Sequence, residues 1–376
     1  RAVSSVLIAL GIGGGTVDVP NVTDNLTVSA AISCAVDDNL TKTGFGTATL
    51  AAFNSYQGTT NVNGGTFAVA VGGSITASAG VNVASGANFD VGALAGGFFV
   101  GPGKFLTDNG TVTGDVNVGG TGTIAGDGGT VTGTLGLEAG AIFAPGTGPG
   151  TDGSLAIGVA LNAASNADFR LELGGALASA YDQFSASAIN LNSDAGVGST
   201  LALSLINGYV PALFTPHFVG VNTGLNPILG DFNNTVSQNY PQGAFDVVTV
   251  GGFDFAVSFD ANSAAGTFHG GNDLAIMAVP EPGSTMLLLA SLGALAELQR
   301  FRRLHRGNHV RRRPQHAGGF AGRRRSGSRH TAEQAAQTWR DARQNRHHQP
   351  IAADGGRINP GLSQLRTRIV DDKSRL

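Results

Sequence analysis

Catalysis needs acids, bases, nucleophiles or metal ligands brought together, and the first 280 residues are poor in all of them. His217 and His269 are the only histidines there, too few and too isolated for a histidine-based metal site. Both read as loop or surface residues. Glu138 and Glu172 are the only glutamates in the same span, and the basic residues Lys42 and Arg170 lie far apart in sequence. Together they match no acid–base constellation. The cluster Gly11-Ile12-Gly13-Gly14-Gly15 lacks both the full spacing of a phosphate loop and a helix to supply its dipole. No G-x-S-x-G segment nominates a serine nucleophile. Asp127 between glycines and the run Gly271-Asn272-Asp273 have the composition of calcium turns. Without a recurring nonapeptide they read as ordinary turn formers. Cys34 is the sole cysteine, which excludes an intrachain disulfide and reads as a buried or half-buried thiol. The residues therefore nominate no catalytic group, no cofactor site and no metal ligand, and a non-enzymatic role is expected.

The elements that carry these residues are strands. The chain has 58 Gly in 376 residues and only 13% charged residues. Glycine at that density suits tight turns and costs roughly 1 kcal/mol at each helix-interior position. From Gly13 to about Gly150 short period-two segments recur: Thr16-Val17-Asp18-Val19, Leu26 to Ser29, Ala48 to Leu50, Thr60 to Asn63, Gly80 to Val83, Asp115 to Val118. Such alternation places Val and Leu on one face and Thr and Asn on the other. Thr111-Val112-Thr113-Gly114-Asp115-Val116 realigns with Thr130-Val131-Thr132-Gly133-Thr134-Leu135, and the stretch Val81 to Phe89 echoes Leu135 to Phe143. A strand pattern that repeats about every 20 residues marks a solenoid whose coils bury their apolar faces on one another. At about 4.8 Å per coil this part extends on the order of 30 Å. A β-sandwich has similar strand spacing and remains the alternative.

Two segments carry a resemblance. Asn39-Leu40-Thr41-Lys42-Thr43-Gly44-Phe45-Gly46-Thr47-Ala48-Thr49-Leu50, followed by Asn54-Ser55-Tyr56-Gln57-Gly58-Thr59-Thr60-Asn61-Val62 and Gly64-Gly65-Thr66-Phe67, resembles the autotransporter-associated β-strand repeat. Ala48 and Phe67 stand where that repeat has Leu, and both keep the position apolar. The Pro-Gly turn from Ala144 to Gly150 resembles the turn that commonly follows such repeats. From Ser154 to Met277 strands lengthen (Phe169 to Leu173, Leu201 to Leu205, Phe253 to Val257), and this region resembles the closing segment of passenger-type solenoids. A cap over the open solenoid end is its expected role.

Past the strands, Val279-Pro280-Glu281-Pro282-Gly283 precedes an apolar run from Thr285 to Ala296 and the cluster Arg300, Arg302, Arg303. The run is about a dozen residues, short of the roughly 20 that span a bilayer comfortably. The order of these three elements resembles the PEP-CTERM sorting signal. That resemblance implies Pro280, Glu281 and Pro282 as recognition residues for an exosortase-type enzyme. It implies Arg300, Arg302 and Arg303 as the basic anchor during transient inner-membrane insertion. Charge divides the chain at the same place. Before residue 300 four basic residues (Arg1, Lys42, Lys104, Arg170) face 21 acidic ones, a net charge of −17; from Arg300 onward 19 basic face five acidic, a net charge of +14. The tail's arginine runs come without a recognition module or interleaved aromatics, so nucleic acid is not the expected partner. The abrupt change of composition reads as a shifted reading frame. The apolar opening, Ser4 to Leu10, lacks a clear cleavage site, and the chain is expected to start inside a strand repeat with its N-terminus missing.

The expected fold is therefore all-β: a right-handed parallel β-helix or solenoid (1–150), a β region capping it (151–278), a sorting signal with one short hydrophobic helix (279–306), and a disordered basic tail (307–376). The expected function is structural or adhesive, at the bacterial surface or in an exopolysaccharide matrix, with exopolysaccharide itself a partner. A solenoid polysaccharide lyase or hydrolase and an autotransporter passenger are the alternatives.

Overall fold

The computed structural model describes residues 7–34, 38–148, 150–240, 243–281, 294–300 and 302. They belong to a compact unit, Arg1–Arg302; the second unit, Arg303–Leu376, lies outside the described residues together with the basic tail.

The alternating segments become strands because one residue in two is apolar and tight turns separate them. Gly15–Asp18, Thr47–Leu50, Thr60–Val62, Gly80–Val83 and Val116–Val118 are examples. Three- and four-residue strands are too short to stand alone, so they stack. Among the described residues they form nine-, thirteen- and five-stranded sheets, with a two-stranded sheet pairing Leu7–Leu10 and Ala31–Cys34. Each sheet receives successive coils in parallel, which makes this part of the chain a parallel β-solenoid.

The first sequence echo is the stacking register itself. Thr111 pairs with Thr130, Val112 with Val131 and Val116 with Leu135. The second echo has a different meaning. Gly80–Val83 lies in the nine-stranded sheet and Leu135–Leu137 in the five-stranded sheet, so the two segments turn different corners of the coil. What they share is the conformation of the turn: Ala87 N donates to Ala84 O and Ala141 N to Glu138 O, around Gly86 and Gly140 at φ +78° and +80°. A left-handed residue between two strands needs glycine wherever it falls, so equal turns produce equal sequence.

Inside, apolar side chains stack coil on coil. Phe67 and Phe89 are register partners with ring centroids 6.3 Å apart, and Phe89 meets Phe98 edge-on at 5.0 Å. Phe143 packs on Phe169 and on Phe184, each at 5.3 Å. Burying each ring contributes about 1.5–3 kcal/mol, which explains why the interior outweighs the glycine-rich turns.

Parallel stacking does not stop at residue 150. Gly129–Val131 pairs with Ser154–Ile157, which pairs with Gln183–Ala186. The Pro-Gly turn is a loop within one coil, not the edge of the solenoid. Architecture changes at Pro216–Asn222, parallel to Gln183–Ala186 on one side and antiparallel to Asp273–Val279 on the other. Beyond it the large sheet continues as an antiparallel run of Asp273–Val279, Phe253–Ala261, Gly243–Val250 and Val236–Tyr240. The last strand of the nine-stranded sheet, Thr200–Leu205, is closed by a side chain. Asn234 Oδ1 accepts from Leu201 N at 3.0 Å and its Nδ2 donates to Leu201 O at 2.8 Å, as a neighbouring strand would. Phe232 plugs the interior beside it, 5.6 Å from Phe169 and 5.9 Å from Phe259.

Candidate functional site

Polar residues of the repeat segment turn inward and serve the backbone. Lys42 lies in Leu40–Thr43 and is fully buried. Its Nζ donates to the carbonyls of Thr43 (2.7 Å), Gly44 (3.0 Å) and Gly64 (3.1 Å), so one ammonium ties two coils. Burial lowers its pKa, and the Asp18 carboxylate pulls the other way. Asn54 ties three levels: Oδ1 accepts from Ile32 N at 2.8 Å, and Nδ2 donates to Ala52 O and Ser74 O. Tyr56 opens a chain of hydroxyls, Oη to Thr60 Oγ1 (2.8 Å), on to Ser78 Oγ (3.1 Å), ending on Gly58 O (2.7 Å). Desolvation raises the Tyr56 phenol far above its ordinary range. Gly58 is required because a Cβ there would sit 2.2 Å from Asp38 O. The spaced Lys, Asn, Tyr, Gly and Thr of the segment are thus one internal clamp.

The remaining sequence candidates separate. His269 is exposed, as expected, and Nδ1 lies 2.7 Å from Asp260 Oδ1. His217 is not a surface residue: it is fully buried in Pro216–Asn222, with Nε2 3.0 Å from Tyr209 Oη and its ring edge-on to Tyr181. It fills the interior where parallel strands give way to antiparallel ones, and burial lowers its pKa. Asp273 is structural, accepting from Asn222 N and Ser263 N. Cys34 is half-buried and accepts from Gln57 N at 3.2 Å. No group of three or more potential metal ligands occurs among the described residues.

What sequence reasoning missed is a cleft of about 480 Å³ on the outer face of the nine-stranded sheet. Its floor is small and apolar, with Ala125 and Ala144 in register on adjacent coils and Ala202 two strands on. Its rim holds Arg170, whose Nε donates to Asp168 Oδ2 at 2.8 Å, and Glu172, whose two carboxylate oxygens accept from Gly150 N at 2.9 and 2.8 Å. The loop through Gly146 and Gly148 forms one wall. Asp182 braces that loop from inside: fully buried, it accepts from Gly153 N and Glu172 N, both at 2.8 Å. Burial pushes its carboxyl up to about 7; those hydrogen bonds oppose the rise, and the charges of Glu172 and Asp152 add to it. Arg170 and Glu172 share a face by their spacing on one strand, but Ala125, Ala144 and Ala202 join them only through coil stacking, which no local spacing displays.

The sorting-signal residues are described in part. Pro280 and Glu281 follow directly on Asp273–Val279, whereas Pro282, the apolar run through residue 293 and Arg303 lie outside the described residues. Residues 294–300 are helical and exposed, Arg302 is helical and exposed, and Arg300 Nη1 lies 4.0 Å from Glu297 Oε1. Among the described residues no helix is long and apolar enough to cross a membrane.

Residues 40–69 match the family model of the passenger-associated-transport-repeat. The match covers the two segments that hold Lys42, Asn54, Tyr56 and Thr60, so the clamp belongs to a repeat of autotransporter-associated, passenger-like extracellular proteins. No curated protein matches the chain.

Proposed function

We propose that the protein is a structural or adhesive solenoid displayed at the bacterial surface or in its exopolysaccharide matrix, sorted there through Pro280-Glu281-Pro282 and the segment that follows. The observation that carries this reading is the coincidence of the matched repeat, residues 40–69, with a backbone-clamping coil in a stack of parallel coils. The clamp residues stabilise the rod and leave the outer faces free for contact. A non-catalytic role is supported by where the acids lie: Asp182 is buried under backbone donors and Glu172 holds Gly150 N.

The test is expression with the native upstream region in a bacterium that carries an exosortase-type enzyme, followed by fractionation and intact-mass measurement. A surface or extracellular product whose C-terminus lies near Pro280–Pro282 is the expected result. An external product that retains Arg300–Leu376 removes the sorting step and keeps the surface role. A product held inside the cell contradicts both.

A further inference from the structure

The outer face of the nine-stranded sheet carries a straight row of side chains that the clamp does not use. Thr16, Thr41, Asn61, Asn82 and Thr107 are successive register partners. The row continues through Ala125 and Ala144 into the cleft beside Arg170. Flanking residues Lys42, Val62, Val83 and Leu106 are buried, so the row points outward.

We propose that this row and cleft bind a neutral, extended β-linked glycan lying across the stacked coils. The proposal rests on the surface reading above and names the ligand that such a surface would hold. One row residue is presented per coil, about 4.8 Å apart, close to the length of one sugar ring in an extended glycan, so successive rings meet successive coils. The residue types suit the ligand. Asn82 Nδ2 donates to Asn61 Oδ1 at 3.0 Å, which fixes both amides and leaves Asn61 Nδ2 and Asn82 Oδ1 for sugar hydroxyls. The Ala floor accepts the C–H face of a ring. Arg170 and Glu172 are each held by a second group, Asp168 and Gly150 N, so little side-chain freedom is lost on binding. A cleft of about 480 Å³ falls within the size of ordinary ligand sites, which combine an apolar lining with a few fixed polar groups.

Charge selects the neutral class. Residues before 300 carry a net charge of −17, and Arg170, the one cation lining the cleft, stands beside Glu172 and is already paired with Asp168. A polyuronate would be repelled by that field. A neutral glycan is not, and it gains the charged hydrogen bonds.

The experiment is calorimetric titration of the full chain with cellohexaose, a neutral β-linked oligomer, and with hexamannuronate, an acidic β-linked one, alongside a reducing-end assay. Saturable binding of cellohexaose, uronate binding confined to the arginine-rich tail and therefore unchanged by filling the cleft, and no new reducing ends are expected. Arg170→Ala should weaken cellohexaose binding about tenfold, the equivalent of one charged hydrogen bond. This side chain is exposed, so the urea midpoint should stay unchanged. Ala144→Trp, which fills the cleft, should abolish binding. No saturable cellohexaose binding, uronate binding that Ala144→Trp abolishes, or cellohexaose binding indifferent to both variants would overturn the proposal. Reducing ends released from cellohexaose would replace it with a hydrolase. Because the titration uses purified protein, its failure leaves the surface-display test untouched, and failure of display leaves the titration to be read on its own.

Discussion

The ammonium of Lys42 and the amide of Asn54 do the same work at two places in the repeat: each spends its hydrogen-bonding capacity on backbone groups of adjoining coils. A buried donor or acceptor left unmade costs about 1–3 kcal/mol, so these side chains are fixed by the backbone they complete. Asp108 is the counterexample. It is fully buried, Oδ1 accepts from Gly110 N at 3.0 Å, and Oδ2 has no hydrogen-bond partner among the described residues. Burial pushes its carboxyl up to about 6. A folded value above the unfolded one means that the native state binds more protons between them. This contribution to stability is full below about pH 3.8 and is lost as pH rises through about 6. Asp108→Asn should remove it. Urea unfolding at pH 4.5 and pH 8 should show the parent losing about 2 kcal/mol more than the variant across that interval; equal losses would refute the assignment. The sequence pointed to the repeat residues through their spacing. It gave no sign that Lys42 faces inward, because a lysine in an alternating strand reads as solvated until the carbonyls around it are known.

Strands were legible because alternation and glycine corners are local, and the 19-residue register followed directly from Thr111 and Thr130. Strand direction was not. Phe253–Ala261 and Asp273–Val279 run antiparallel, yet an apolar stretch carries the same pattern in either sense. Lengthening strands after residue 150 therefore suggested a new region where the coils in fact continue to Pro216–Asn222. His217 was misplaced for a different reason: it takes an inward position of an alternating strand, against Tyr181 and Tyr209, where the usual exposure of histidine gives no warning. The expected cap over 151–278 does not begin where the coils end, but the segment beyond Pro216–Asn222 makes one specific contact with the sheet edge: the Asn234 side chain stands in for a strand at Leu201. Unpaired edges recruit other chains. Asn234→Ala should accordingly leave monomer secondary structure intact and raise the oligomer fraction seen by light scattering with size-exclusion chromatography. A variant as monomeric as the parent would remove Asn234 from the capping role.

At the scale of the molecule, the cleft was invisible in the sequence because Ala125, Ala144, Arg170 and Ala202 become neighbours only once the coils are stacked. A solenoid makes surfaces of this kind from residues a coil apart, which is why the glycan row can be named from register and not from a motif. The same stacking is the central claim of the account, and a cross-link reads it directly. In a Cys34→Ser background, Thr111→Cys with Thr130→Cys places two outward thiols on register partners of adjacent parallel strands, where Cα atoms lie about 4.8 Å apart and a disulfide fits. Shifting one partner to Thr132→Cys moves it beyond the roughly 7 Å limit. Mild oxidation of the monomer should close the first pair rapidly and leave the second open. Closure of the shifted pair, or of neither, would contradict the parallel coil register on which the fold, the clamp and the glycan row all depend.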